Sequence, residues 1–233
     1  EKEFYESFDY KVDFVGHPLL DAIENHKKHH SGKDNLISEH RLENQKSIAI
    51  LPGSREQEIK KMLPVMLDGL EGLEQYQWIV AAAPNISDEF YASLIDNDRV
   101  KLVHGKTYDI LEFADAAVVT SGTATLETGL LLVPEVVCYK GNYISYLIAK
   151  QLIDVSFISL VNLVMEKEVV VELIQHEMNA KEINAELKKL LLDENYRNEM
   201  LINLTKLREN LGGVGASERT ASLMISYLND KSN

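Results

Sequence analysis

The chain has 233 residues, 45% of them hydrophobic and 26% charged, an ordinary globular composition that suits one large domain or one domain with an appendage. Its 24 basic and 37 acidic residues give a net charge of −13, which excludes a broadly basic nucleic-acid surface but leaves room for a small anion pocket. One cysteine, Cys138, excludes an internal disulfide framework and fits a reducing, cytoplasmic compartment, and no apolar run approaches the roughly 18 residues of a spanning helix.

In chain order, residues 1–23 are mixed in character, with a short apolar stretch running into Gly16-His17-Pro18. The chain opens at Glu1 rather than Met, as a piece of a longer protein would. Residues 24–46 are almost wholly polar and read as an exposed loop or linker, because they offer too little apolar surface to order themselves. Regular patterning begins at Ser47. Residues 47–51 form a strand, followed by a helix with Ile59, Leu63, Met66, Leu67, Leu70 and Leu73 at helical spacing, kinked or divided at Pro64. Further strands fall at 78–82, 100–103, 116–119 and 135–139, separated by helices at 88–95, 107–113 and 121 to about 131.

Strands without polar alternation are buried on both faces, and their alternation with helices predicts an α/β, Rossmann-like doubly wound parallel sheet over 47–165. No proline follows Pro134. Residues 166–233 therefore read as an extended helical tail. Helices are expected at 143–152, 169–176, 183–192, 194–211 and 217–228, with one flexible break at Gly212-Gly213-Val214-Gly215. That break could let the last helix leave its own subunit and form a homodimer through the C-terminal helices; a helix folded back on its own chain is the alternative.

Two loops can carry chemistry. The first is Leu51-Pro52-Gly53-Ser54-Arg55, at the carboxyl end of the first regular strand. Gly53 permits a tight turn and close approach of a ligand, and Ser54 can cap the next helix. Arg55 stands at that helix's start, where the helix dipole disfavours a cation unless an anion lies between them. A capped helix with a surface arginine would give the same pattern. The second loop is Thr120-Ser121-Gly122-Thr123-Ala124-Thr125-Leu126-Glu127, between a strand and a helix's first turn. Free amides at a positive helix end suit a phosphate, and Glu127, one turn in, can accept hydrogen bonds from ribose hydroxyls. A capped turn in which Glu127 merely favours the dipole is the alternative.

Neither loop is a P-loop lysine motif or a GxGxxG, and no GxSxG is present. Asp96-Asn97-Asp98 has metal-diphosphate spacing but sits at the wrong end of the sheet and reads as a solvated turn. His26, His29, His30 and His40 lie in the polar segment and read as solvated rather than as zinc ligands. Cys138 reads as an inert core thiol. His17 is either structural or lines the crevice.

The ordered set Phe14-Val15-Gly16-His17-Pro18-Leu19, Leu51-Pro52-Gly53-Ser54-Arg55 with Glu58, Ser121-Gly122-Thr123-Ala124-Thr125-Leu126-Glu127, Ser159-Leu160-Val161-Asn162-Leu163 and Glu172-Leu173-Ile174-Gln175 resembles the lipid-A-disaccharide synthase family. The blocks follow the family's order over nearly the whole chain. Val161 departs from it where proline is expected, and Glu166-Lys167 where Gly-Arg is expected.

The resemblance implies a two-lobed GT-B glycosyltransferase, peripheral to the inner membrane of Gram-negative bacteria. Its reaction transfers 2,3-diacylglucosamine from UDP-2,3-diacylglucosamine to lipid X, giving lipid A disaccharide 1-phosphate and UDP with inversion. This chain would be the C-terminal, donor-binding lobe, with the general base and acceptor surface on a lobe it lacks. The resemblance further implies catalytic roles for Arg55 and Asn162. It implies substrate contacts from Gly53, Ser54, Ser121, Gly122, Thr123, Ala124, Glu127, His17 and Gln175, and no metal or other cofactor. Another GT-B UDP-sugar enzyme, of the peptidoglycan N-acetylglucosaminyltransferase or UDP-sugar epimerase type, would use a similar cradle. A non-catalytic nucleotide-binding module is the reading from a different class.

Overall fold

The computed structural model describes residues 2–30, 32–141 and 157–230. The helix expected at 143–152 lies outside them. The described residues divide into two compact units, residues 30–207 and residues 1–29 with 208–233.

The larger unit is built on six parallel strands: β1 (Ser47–Leu51), β2 (Gln77–Ala82), β3 (Val100–His104), β4 (Ala116–Thr120), β5 (Glu135–Tyr139) and β6 (Val171–Ile174). Their order across the sheet is β3-β2-β1-β4-β5-β6, so the order reverses between β1 and β4. β1 and β2 are buried at every position, the burial on two faces that their unbroken apolar runs require. On one face, Ala49, Leu51, Ile79, Ala81, Val103, Ala117 and Val119 pack with α3 (Lys33–His40) and α6 (Thr107–Phe113). On the other lie α4 (Glu56–Asp68) and α9 (Ala180–Leu192), the latter against β4 and β5. The sheet is doubly wound, as the sequence predicts. The remaining helices of this unit are α5 (Asp88–Ala92), α7 (Thr123–Leu130), α8 (Leu160–Met165) and α10 (Glu194–Asn210), the last continuing three residues into the smaller unit.

Four expectations are corrected. The polar segment 24–46 is not a loop: α2 (Pro18–His29) and α3 cover most of it, and Leu36 and Leu42 join the core of the larger unit. Two well-placed leucines anchor a short helix that its polar majority concealed. The stretch 169–176 holds β6 (Val171–Ile174) rather than a helix, pairing Val136 with Val171 and Cys138 with Leu173. The tail is accordingly not a separate segment, since β6, α9 and most of α10 belong with the sheet. Finally, of the two effects expected of Pro64, division does not occur: α4 continues through it. The carbonyl that loses its partner there is that of Lys60, whose residue is exposed and can be hydrated.

The smaller unit contains α1 (Lys2–Glu6), α2 and α11 (Ala216–Asp230). α11 packs on α2. Asp21 of α2 accepts from the Gly215 amide at 2.5 Å and the Ser217 amide at 2.8 Å, capping the start of α11 from another helix. Gly16 has φ +88°, and a Cβ there would lie 2.8 Å from Arg219 Nη2. Arg219 in turn donates to the Val15 carbonyl at 2.9 Å, so the Gly-His-Pro motif closes this unit. No helix among the described residues is long and apolar enough to cross a membrane.

Candidate functional site

Both loops singled out in the sequence leave the sheet at the carboxyl ends of β1 and β4, the adjacent strands where the order reverses. In an open α/β sheet this is the crevice that receives ligands, because the two crossovers depart to opposite faces and leave the strand ends uncovered.

At the first loop, Gly53 has φ +112°, and a Cβ there would stand 3.0 Å from Glu58 Oε2. Both the conformation and the space call for glycine. Ser54 is exposed and does not cap α4; Arg55 itself occupies the cap position, in extended conformation and with no side-chain cap bond. The structure meets the dipole conflict with a carboxylate of the chain: Arg55 Nη1 donates to Glu58 Oε1 at 3.0 Å. The Arg55 side chain remains 80% exposed, with donors to spare for an anion.

At the second loop, Gly122 precedes α7, and no side chain caps that helix either. Gly122 and Thr123 are exposed, and a Cβ at Gly122 would meet nothing within 4 Å. First-turn amides of a helix have no intrahelical acceptor, so those of Gly122, Thr123 and Ala124 can face a ligand. Ser121 is tied into the fold: its amide donates to the Cys138 carbonyl at 2.9 Å and its hydroxyl to the Ile158 carbonyl at 3.0 Å. Both its donors serve the fold and fix the loop. Thr125 and Thr128 likewise spend their hydroxyls on the Gly122 and Ala124 carbonyls. Glu127 is half-buried, and its Oε1 accepts 2.7 Å from the hydroxyl of Tyr108, a residue the sequence reading passed over because no motif contains it.

Asn162 braces the fold. It is fully buried, its Nδ2 donates to the Val170 carbonyl at 2.8 Å and to Glu172 Oε1 at 2.9 Å, and its Oδ1 accepts from the Val169 and Val170 amides. Two donors and one carbonyl oxygen are thereby committed, so this side chain shapes the turn from α8 into β6. Glu172 joins the same network, accepting from the Ile158 and Ser159 amides, both at 2.9 Å.

Gln175 follows β6 at the same carboxyl edge, with φ +55° and only 8% exposure. Its Nε2 has no hydrogen-bond partner among the described residues. His17 lies in the smaller unit, where its amide donates to the Leu211 carbonyl and its Nδ1 accepts from the Leu19 amide at 3.2 Å. Asn97 makes the expected turn, Oδ1 accepting from the Arg99 amide at 3.0 Å. Cys138 is fully buried, which pushes its thiol pKa up and leaves it unreactive.

The sequence model of the lipid-A-disaccharide synthetase family matches residues 1–224. The chain belongs to that family. A lipid-A-disaccharide synthase of Syntrophus aciditrophicus (strain SB) is 39% identical over 236 residues, covering 98% of this chain and 61% of that protein. The chain thus spans about three fifths of the length of this curated relative of its lipid-A-disaccharide synthetase family. Among solved structures, the UDP-GlcNAc 2-epimerase of Neisseria meningitidis bound to UDP-GlcNAc superposes with TM-score 0.64 over 97% of this chain and 59% of that one, at 15% identity. The S. aureus MnaA–UDP co-structure gives 0.61 over 92% and 54%, at 16% identity. At such identities the likeness is one of fold, a Rossmann-like lobe of GT-B type.

Proposed function

We propose that this chain carries the donor-binding part of a lipid-A-disaccharide synthase. The complete enzyme would transfer 2,3-diacylglucosamine from UDP-2,3-diacylglucosamine to lipid X, with inversion, releasing UDP. The observation that carries the reading is the placement of the Gly53–Arg55 and Gly122–Glu127 loops on neighbouring strands at the reversal of the sheet.

In this reading the diphosphate lies on the amides of Gly122, Thr123 and Ala124, at the positive end of α7. Gly53 lets the backbone come close, and Ser54 is an exposed hydroxyl beside it. Glu127 receives the ribose diol and so fixes where the diphosphate sits. As the bond between the sugar's anomeric carbon and the UDP oxygen breaks, negative charge grows on the β-phosphate. Arg55 and the α7 amides are fixed donors aimed at that charge, and they lower the barrier to the extent that they bind it more strongly than the ground state. The buried amide of Gln175 is offered to the sugar. The general base and acceptor surface are assigned to the part of the relatives that this chain does not span. The lipid substrates suit a complete enzyme at the inner-membrane surface, and a net charge of −13, which anionic lipid repels, favours a lipid-facing patch on the part of the relatives that this chain does not span.

Two neighbours in fold were solved with UDP or UDP-GlcNAc bound, which supports a uridine nucleotide here. Calorimetric titration with UDP tests the reading: saturable binding is expected, and the double variant Arg55→Ala, Glu127→Ala should abolish it. A folded chain that ignores UDP would refute the site. Turnover of unacylated UDP-N-acetylglucosamine by the full-length enzyme would refute the lipid assignment and favour an epimerase-like activity.

A further inference from the structure

Glu127 belongs to α7, after β4, whereas Tyr108 is the second residue of α6, after β3. Their 2.7 Å contact is therefore made between two crossovers that the chain brings together only on folding. That length is typical of a hydroxyl donating to an ionised carboxylate. An unrestrained glutamate at a helix surface samples several rotamers, and ordering it on ligand binding costs free energy. A carboxylate has about four acceptor positions, so a tether on Oε1 still leaves Oε2 open for a diol.

We propose that Tyr108 is a positioning residue of the donor site: it holds the Glu127 carboxylate where the ribose hydroxyls arrive, and so sets preference for a ribonucleotide over its 2′-deoxy counterpart. The inference rests on the donor site proposed above. Burial and the Glu127 charge push the Tyr108 pKa upward, so the phenol keeps its proton and remains a donor to the carboxylate. It restrains Glu127 without competing for the diol as a second anion.

The test is titration of the full chain with UDP and with 2′-deoxy-UDP, in the wild type, Tyr108→Phe and Glu127→Ala. The wild type should prefer UDP. Tyr108→Phe should weaken UDP by about fivefold, the worth of one net hydrogen bond, and leave 2′-deoxy-UDP nearly unchanged. A merely structural tyrosine would weaken both alike, because lost folding or packing does not sense a hydroxyl of the ligand. An unchanged preference in Tyr108→Phe, with the preference lost in Glu127→Ala, overturns the positioning role and keeps the donor site. No UDP binding by the folded wild type, or a preference that survives Glu127→Ala, overturns the donor site and the positioning role with it.

Discussion

Two buried side chains show how a residue's partners decide its role. Asn162 looks like a site residue in the sequence, because a polar amide follows a serine in a block shared with the family. Its four hydrogen bonds turn it into a brace for the α8–β6 turn. Asn162→Ala strands two buried amides and a carbonyl, and should cost about 3 kcal/mol in urea unfolding while leaving UDP affinity unchanged. A loss of affinity without loss of stability would restore Asn162 to the site. Glu135 is fully buried, and neither carboxylate oxygen has a partner among the described residues. Burial raises its pKa well above the ordinary 4.5. The folded chain then holds this proton more tightly than the unfolded chain does. Its contribution to stability is complete below 4.5 and declines as pH rises through the folded value. Glu135→Gln should flatten that decline in unfolding measured from about pH 4 to about pH 8, and should be more stable than wild type at the upper end. Glycine and hydroxyl residues at the ends of apolar runs made the two loops legible. The Tyr108–Glu127 contact was not legible, because it joins residues from two crossovers that no local pattern links.

At the scale of elements, strands buried on both faces announce themselves as unbroken apolar runs, and β1 to β5 were read in this way. β6 was missed because Glu172 interrupts its run. That carboxylate is directed into the Ile158, Ser159 and Asn162 hydrogen bonds rather than to solvent. α3 was missed for the converse reason: buried Leu36 and Leu42 are too few to show through eight mostly polar neighbours. The smaller unit depends on a cap that no helix pattern reveals, since Asp21 and the start of α11 are far apart in sequence. The Ser217 and Gly215 amides lower the Asp21 pKa from 3.8 to about 2. Its stabilisation is therefore present above 3.8 and lost as pH falls toward 2. Hydrogen exchange should show α11 amides losing protection over that interval, and Asp21→Asn should lose the same protection at neutral pH. Equal protection in wild type and variant at neutral pH would show that the Asp21 cap does not hold α11.

For the whole molecule, charge and composition set bounds but name no chemistry. What gives the fold a function is the order of its strands, which puts two loops from distant parts of the sequence at one reversal point. The proposed reading puts the donor nucleotide at that reversal point, and the chain spans about three fifths of the curated relative. The most direct test is a crystal structure of this chain soaked with UDP. The account predicts the diphosphate within hydrogen-bond reach of the Gly122–Ala124 amides and Arg55, and the ribose on Glu127. UDP bound at the amino ends of the strands, or at the carboxyl ends without touching either loop, would contradict it.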